Sequence, residues 1–407
     1  MSVHAPGALA GVKVLEFSEM IAAPFAGMHL GDMGADIIKV EPPGGEPWRL
    51  TLPFAPAESR AFMALNRNKR GIAIDLKTPE GQEIVHRLVP EMDVVLVNYR
   101  PDTPAKLGID YDTLRGLNEG LIYVENSAMG SRGPDAHRPG YDLVAQAVTG
   151  LLRTGQRRDA DGIPMPITPA LADYGTGLAM AFAVCAALFA RERSGKGQKV
   201  EATLLATSLA VQAGLFMRTG VDTGGPTEST ADATSAVGRA NSAYYRAYET
   251  QDSMIAVACL TPVLRRRFAE VVGVEDPRHT RNLRRGTPEH DEVALAFAGA
   301  VVARMAERTT DAWVAAFDAA GVPAGPVRDV AELVDDPQVR ANDLVVELPH
   351  AATGTVEMVG PIIRMHGTPT AAQLPPPTLG QHSREVLVEL GYADTEIESL
   401  AAAGVIC

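Results

Sequence analysis

The sequence predicts an α/β protein: a parallel sheet with helices on both faces, and a second, smaller lobe. Short apolar segments alternate with helix-like segments through the first third of the chain, and repeated β–α–β order builds a parallel sheet. The 407 residues exceed what one compact core usually holds, so two lobes are expected. Hydrophobic residues at 46% and charged residues at 21% are ordinary for a globular chain that can bury a large core.

Val12 to Phe17 is the first strand, and Pro24 suits the first turn of a helix running to about Met33. Ile37 to Val40 is the next strand, closed by Glu41 and the turn residues Pro42-Pro43-Gly44-Gly45. Gly71 to Leu76 is a third strand; Thr78 then offers an N-cap and Pro79 a first helical residue. Val94 to Val97 and Leu121 to Glu125 continue the series. Loops at the carboxyl ends of such strands are where ligands bind. Leu178 to Ala190 reads as a largely buried helix, Ser194-Gly195-Lys196-Gly197 as a turn, and Val200 opens a new element. From Thr219 to Ala240 Gly, Thr, Ser and Ala dominate with little periodicity, which marks a linker or mobile loop into the second lobe. That lobe carries helix-like stretches at Pro262 to Val272 and near Glu289 to Ala306. A Pro-rich stretch, Pro369 to Pro377, precedes the expected last helix, Ser383 to Leu390.

The bulk properties exclude several function classes. A net charge of −13 repels phosphate backbones, so nucleic acid is not an expected partner. Any site for a polyanion must then be locally basic or rich in backbone donors. The three cysteines, Cys185, Cys259 and Cys407, form neither a disulfide framework nor a metal spacing, which suits a reducing cytoplasm. Met1 to Leu9 lacks the charged and apolar regions of a signal peptide. The apolar run Leu178 to Ala190 is too short to span a bilayer and ends in Arg191-Glu192-Arg193, so no membrane contact is expected. The nine histidines are scattered, no metal site is expected, and no Gly-x-Ser-x-Gly elbow occurs. A dinucleotide site fails at the first loop: Glu41 stands where a ribose-binding acid would, but Ser18-Glu19-Met20-Ile21-Ala22-Ala23-Pro24 has no glycine to let a pyrophosphate approach.

One carboxylate stands out. Ile167-Thr168-Pro169-Ala170-Leu171-Ala172-Asp173-Tyr174-Gly175-Thr176-Gly177 leads into the most apolar helix, with Asp173 placed as an N-cap. A plain capping role and a nucleophilic role are both open. A helix N-terminus would keep the carboxylate ionised, Gly175 and Gly177 would leave space beside it, and free amides of the first turn could stabilise an oxyanion.

An ordered series of motifs then carries a resemblance. It runs through Leu9-Ala10-Gly11-Val12-Lys13-Val14-Leu15-Glu16-Phe17, Ala22-Ala23-Pro24-Phe25, Gly34-Ala35-Asp36-Ile37-Ile38-Lys39-Val40-Glu41-Pro42 and Asn68-Lys69-Arg70-Gly71-Ile72-Ala73-Ile74-Asp75-Leu76-Lys77. It continues with Val97-Asn98-Tyr99-Arg100-Pro101, Arg138-Pro139-Gly140-Tyr141-Asp142, the Asp173 segment and Gly195-Lys196-Gly197-Gln198. It closes with Ala320-Gly321-Val322-Pro323-Ala324-Gly325-Pro326-Val327, Asp336-Pro337-Gln338-Val339 and Leu379-Gly380-Gln381-His382. Over nearly its whole length the chain resembles the family III CoA-transferases of the CaiB/BaiF type, the group that includes formyl-CoA transferase. The resemblance implies a large Rossmann-like domain from residues 1–220, a smaller inserted α+β domain around 225–325, and a segment 326–407 returning to the large domain. It implies an interlocked homodimer in the cytoplasm.

The resemblance also implies roles. Asp173 would carry the covalent intermediates of CoA transfer from an acyl-CoA to a small carboxylic acid, with CoA as substrate and no other cofactor. Ile21 and Ala22 would lie near the pantetheine end. Ile74, Asp75, Leu76 and Lys77 would run along the adenosine part, with Asn98, Tyr99, Arg100 and Lys106 contacting the rest of CoA. Gly140, Tyr141 and Asp142 would flank the thioester, and their amides would join those of the helix start as oxyanion donors. The nearest alternative is an α-methylacyl-CoA racemase, whose histidine base falls where this chain has Tyr141, with His137 out of register; another is a non-catalytic CoA-binding protein. The glycine run of formyl-CoA transferase has no clear counterpart in Gly224-Gly225 and Gly238, so oxalate or formate specificity is not expected. For Glu19 and Met20 in the first loop a role in shaping the acid pocket is open, and for Glu19 a solvated loop charge is equally open.

Overall fold

The computed structural model describes residues 6–56, 58–155, 157–218, 238, 240, 242–281, 283–284 and 287–407. Six strands form one sheet: β1 (Lys13–Phe17), β2 (Asp36–Glu41), β3 (Lys69–Ala73), β4 (Val94–Val97), β5 (Ile122–Ser127) and β6 (Gln198–Thr203). All neighbours pair in parallel, in the order β3-β2-β1-β4-β5-β6. The central strands are apolar on both faces because helices cover both. Leu15, Ile38, Val95 and Val97 enter one core, while Val14, Ile37, Val94 and Leu96 enter the other.

The order reverses between β1 and β4. In an open α/β sheet the crevice at the carboxyl ends of the strands flanking that reversal is the place for a ligand. β1 leads into α1 (Ala22–Asp32) through the loop from Ser18 to Ile21. β3 ends at Ala73, earlier than expected, so Ile74 to Lys77 form a loop before Thr78 caps α2 (Pro79–Leu88) through the Gly81 amide. After β5 come α3 (Asp142–Val148) and the long α4 (Leu171–Ser194), which ends on Gly195 in the left-handed conformation, and after β6 comes α5 (Leu204–Ala210).

The apolar run in α4 is only its middle. The helix has 24 residues, and by length and composition it could cross a membrane. One face, with Thr176, Gly177, Met180 and Val184, is buried, while Leu178, Phe182 and Phe189 are exposed. The expectation of a largely buried helix therefore holds for one face only. Gly177 makes the close packing on α1 feasible, since a Cβ there would stand 2.6 Å from the Ala22 carbonyl oxygen. Gly175 is a second packing glycine, its Cβ position 2.6 Å from the Thr207 methyl; neither glycine opens room for a ligand.

Contacts divide the chain into two units, residues 1–217 with 337–407, and residues 218–336. In the first unit the C-terminal segment closes the β3 edge: Asp75 N donates to the Val405 carbonyl at 2.8 Å and Ala73 N to Ser383 Oγ at 3.1 Å. The helix Ser383–Glu389 is not the last, because Asp394–Ala402 follows it. A hairpin, Val345–His350 with Gly354–Val359, also belongs to this unit. The second unit has a three-stranded antiparallel sheet, Tyr245–Glu249, Met254–Ala258 and Ala324–Pro326, over the helices Pro262–Val272, Pro288–Met305 and Thr310–Ala319. Trp313, Phe317 and Phe268 fill its core. Most of the Thr219 to Ala240 segment lies outside the described residues.

Candidate active site

Asp173 is the third residue of α4, not its N-cap; Ala170 occupies the cap and supplies no side-chain acceptor. The cap comes from elsewhere. Asp142, the first residue of α3, accepts from the amides of Ala172 at 2.7 Å and Asp173 at 3.3 Å through Oδ1. Its Oδ2 accepts from Gln146 Nε2, which also reaches the Ile167 carbonyl at 3.0 Å, while Ile167 N donates to Gln146 Oε1 at 2.9 Å. A single carboxylate thus satisfies orphan amides of the α4 terminus and ties the segment before it to α3. Two of the helix-start amides expected to stabilise an oxyanion, those of Ala172 and Asp173, are therefore occupied.

The electrostatics differ from the expectation as well. A carboxylate in a helix first turn ordinarily has a low pKa. Burial instead raises that of Asp173, the Asp142 charge adds to the rise, and the group titrates at about 7. The shift reflects a carboxylate in a largely dry recess beside a like charge. Perturbed acids of this kind concentrate at reactive sites.

Asp173 lines a cavity of about 320 Å³. Glu19, Met20 and Ile21 from the loop after β1 form one wall, Asn98, Tyr99 and Arg100 after β4 another, and Asn126, Ser127 and Ala128 at the end of β5 a third. Gly140, Tyr141 and Asp142 complete it opposite Trp48. A second cavity, of about 400 Å³, is lined by Ile74, Asp75, Leu76, Lys77, Thr103 and Leu107. Glu19, Tyr99 and Arg100 border both, so the two cavities are neighbours at the switch point.

Most of the predicted residues line one or both of these cavities. Ile21, Asn98, Tyr99, Arg100, Gly140, Tyr141, Asp142 and Asp173 meet in the first cavity, and Ile74, Asp75, Leu76 and Lys77 in the second. Ile74 and Leu76 are buried, whereas Lys77 is exposed at the rim. Ala22 is buried at the start of α1, and Lys106 is exposed and ion-paired with Asp102; neither lines a cavity. Asn98 has its amide engaged on the Glu19 backbone, accepting from N at 2.9 Å and donating to O at 2.7 Å, so its side chain shapes the loop. Trp48, Asn126 and Ser127 line the first cavity without having been singled out in the sequence, and Arg138 entered only as the first residue of a motif. Asn126 and Ser127 stand at the carboxyl end of a strand, which was a usable signal, while Trp48 has no local signal. Among the described residues no group of three or more His, Cys, Asp or Glu could hold a metal ion.

The model of CoA-transferase family III matches residues 9–383. The chain belongs to this family. It is 36% identical to the succinate–glutarate CoA-transferase of Agrobacterium fabrum over 94% of this chain and 95% of that protein. It is 33% identical to the succinyl-CoA:glutarate CoA-transferase of Mus musculus over 98% of this chain and 90% of that protein. The solved structure of a CAIB/BAIF family protein from Brucella suis aligns with a TM-score of 0.77 at 30% identity, covering 95% of this chain and all of that one. The mixed α/β architecture with its six-strand parallel sheet agrees with that likeness. The chain is a CoA-transferase.

Proposed function

We propose that Asp173 is the covalent carrier of CoA between two small carboxylic acids. Ionised Asp173 attacks the thioester carbonyl of the acyl-CoA, and CoA thiolate leaves, giving an anhydride of Asp173 with the donor acid. The thiolate attacks the aspartyl carbonyl carbon, the donor carboxylate leaves, and an aspartyl-CoA thioester remains. The acceptor carboxylate attacks that thioester and displaces the thiolate, which then attacks the acceptor acyl carbon and frees Asp173. Every bond made or broken lies between Asp173, CoA and the two acids, and no net proton is transferred, so the scheme calls for no further cofactor. The observation that carries it is a carboxylate with a pKa raised to about 7, lining a cavity that shares Glu19, Tyr99 and Arg100 with a second one.

The remaining residues fit this reading. Ile74 to Lys77 and Arg100 line the path for CoA, with Lys77 at the rim available to a phosphate. Lys106 can serve the nucleotide end only by leaving Asp102, which an exposed pair permits. With the Ala172 and Asp173 amides taken by Asp142, the oxyanion donors fall to the Gly140–Tyr141 backbone. Among the described residues no histidine lines either cavity, which supports transfer over two-base racemisation. The relatives named for succinate and glutarate, together with Arg100 and Arg138 in a small cavity, support dicarboxylic acids as substrates. The exposed Leu178, Phe182 and Phe189 on α4 support a homodimer that covers them. The test supplies succinyl-CoA and glutarate to the purified chain and follows glutaryl-CoA, with deuterium oxide present to report α-proton exchange. CoA transfer that is lost in Asp173→Ala is expected; α-proton exchange without transfer would overturn the proposal.

A further inference from the structure

We propose that Glu46 is a positioning residue for this reaction: a buried carboxylate that holds the loop after β1 in the shape that lets Glu19, Met20 and Ile21 wall the Asp173 cavity. The inference rests on the transferase reading of that cavity.

Backbone groups must find partners when they leave regular structure inside a protein. From Ser18 to Met20 those partners are side chains. The Ser18 carbonyl accepts from Lys39 Nζ at 2.8 Å. Glu19 exchanges both its backbone groups with the Asn98 amide, at 2.9 and 2.7 Å. The Met20 amide donates to Glu46 Oε2 at 2.7 Å. Met20 is held at φ 67°, in the left-handed region that disfavours a residue with a Cβ. No glycine relieves it, so something must oppose the strain. Glu46 is 2% exposed. It is fixed in turn by Lys39 Nζ, 3.0 Å from Oε1, and through its own amide by Glu41 Oε2 at 3.1 Å. Oε2 is therefore committed to the strained amide, while Oε1 has the Lys39 cation beside it but no hydrogen bond of its own. Without that acceptor Met20 returns to an ordinary φ, and Glu19 and Ile21 on either side of it move away from Asp173. Glu46 also borders the second cavity, so a direct contact with CoA is the competing role the test must separate.

Glu46→Gln keeps the size but leaves one acceptor oxygen for two donors. Its effect is measured in two backgrounds, Met20 as it stands and Met20→Gly, as a double-mutant cycle. The readouts are kcat with succinyl-CoA and glutarate and the CoA dissociation constant by titration. With Met20 present, kcat falls about 10- to 100-fold, the size expected of a small misplacement near the reacting groups. The CoA dissociation constant stays within about threefold, since the loop is not the main CoA wall. In the Met20→Gly background the same substitution costs less than about threefold, because glycine enters the left-handed region without strain.

Equal costs in the two backgrounds, or no loss of kcat with Met20 present, overturn the proposal. A weakened CoA affinity with kcat kept marks Glu46 as a CoA contact and overturns it too. Should Glu46→Gln fail to fold, Met20→Ile makes the same test from the other side. A β-branched residue raises the strain at that φ, so kcat falls about tenfold with CoA affinity kept, and an unchanged kcat overturns the proposal. A wild-type chain that binds CoA but turns over neither acid sinks the dicarboxylate reading of the cavity and this inference with it. A wild-type chain that turns over while Glu46→Gln matches it sinks only the latter.

Discussion

Replacing Asp173 by asparagine should stabilise the protein above pH 7 while removing its transferase activity. Asparagine has nearly the shape of the protonated side chain but cannot ionise. In the native state the Asp173 carboxyl keeps its proton up to about 7, whereas in the unfolded chain it loses it near 3.8. Between those values the native state binds the extra proton, so wild-type stability falls as pH rises through that window and is level above it. Full conversion of the shift gives about 4 kcal/mol. The partly exposed carboxylate is relaxed by solvent, and a realistic gain for Asp173→Asn is about 1–3 kcal/mol. The opposing effect, a lost favourable charge in a helix first turn, is only about 0.3–1 kcal/mol. Urea denaturation of both proteins at pH 4, 5.5, 7 and 8 reads the difference. The expected difference is near zero at pH 4 and reaches its maximum above 7. A difference independent of pH, or asparagine less stable at pH 8, would refute the reasoning.

Three further outcomes are expected. Asp142→Asn keeps an acceptor for the α4 amides but removes the like charge, so the acid limb of kcat against pH moves down by up to about one unit; an unmoved limb would show that burial alone sets the Asp173 pKa. Gly177→Val forces a Cβ against the Ala22 carbonyl and should cost about 1–3 kcal/mol by denaturation. Phe182→Asp on the exposed face of α4 should shift sedimentation from dimer to monomer at micromolar concentration; an unchanged profile would place any dimer interface elsewhere.

The parts of the fold set by local chemistry were legible. Val94 to Val97 is an uninterrupted apolar strand, and Thr78-Pro79 announces a helix start, because each depends on its own residues. The hairpin at Val345–His350 and Gly354–Val359 went unread, although Gly354 at positive φ in its turn was a usable signal. Asp173 was found, but its setting was not. The cap of α4 is a carboxylate 31 residues earlier in the chain, so the residues around Asp173 cannot show that two of its helix amides are occupied. Its raised pKa follows from burial and from that same Asp142, both products of tertiary structure. Glu46 was hidden for a related reason. It follows the turn Pro42-Pro43-Gly44-Gly45, where an acid looks solvated, and only the folded chain brings it to Lys39 and the Met20 amide. Ile74 to Lys77 line one cavity together, and the resemblance carried no sign that β3 stops before them, because the C-terminal residues near Val405 take over the edge.

The covalent role of Asp173 is tested most directly by trapping it. The purified protein is incubated with succinyl-CoA in the absence of acceptor, quenched with hydroxylamine, and its peptides are weighed by mass spectrometry. Conversion of Asp173 to the hydroxamate, dependent on succinyl-CoA and absent from Asp173→Asn, is the predicted result. CoA transfer to glutarate by the same preparation with Asp173 never modified would contradict it.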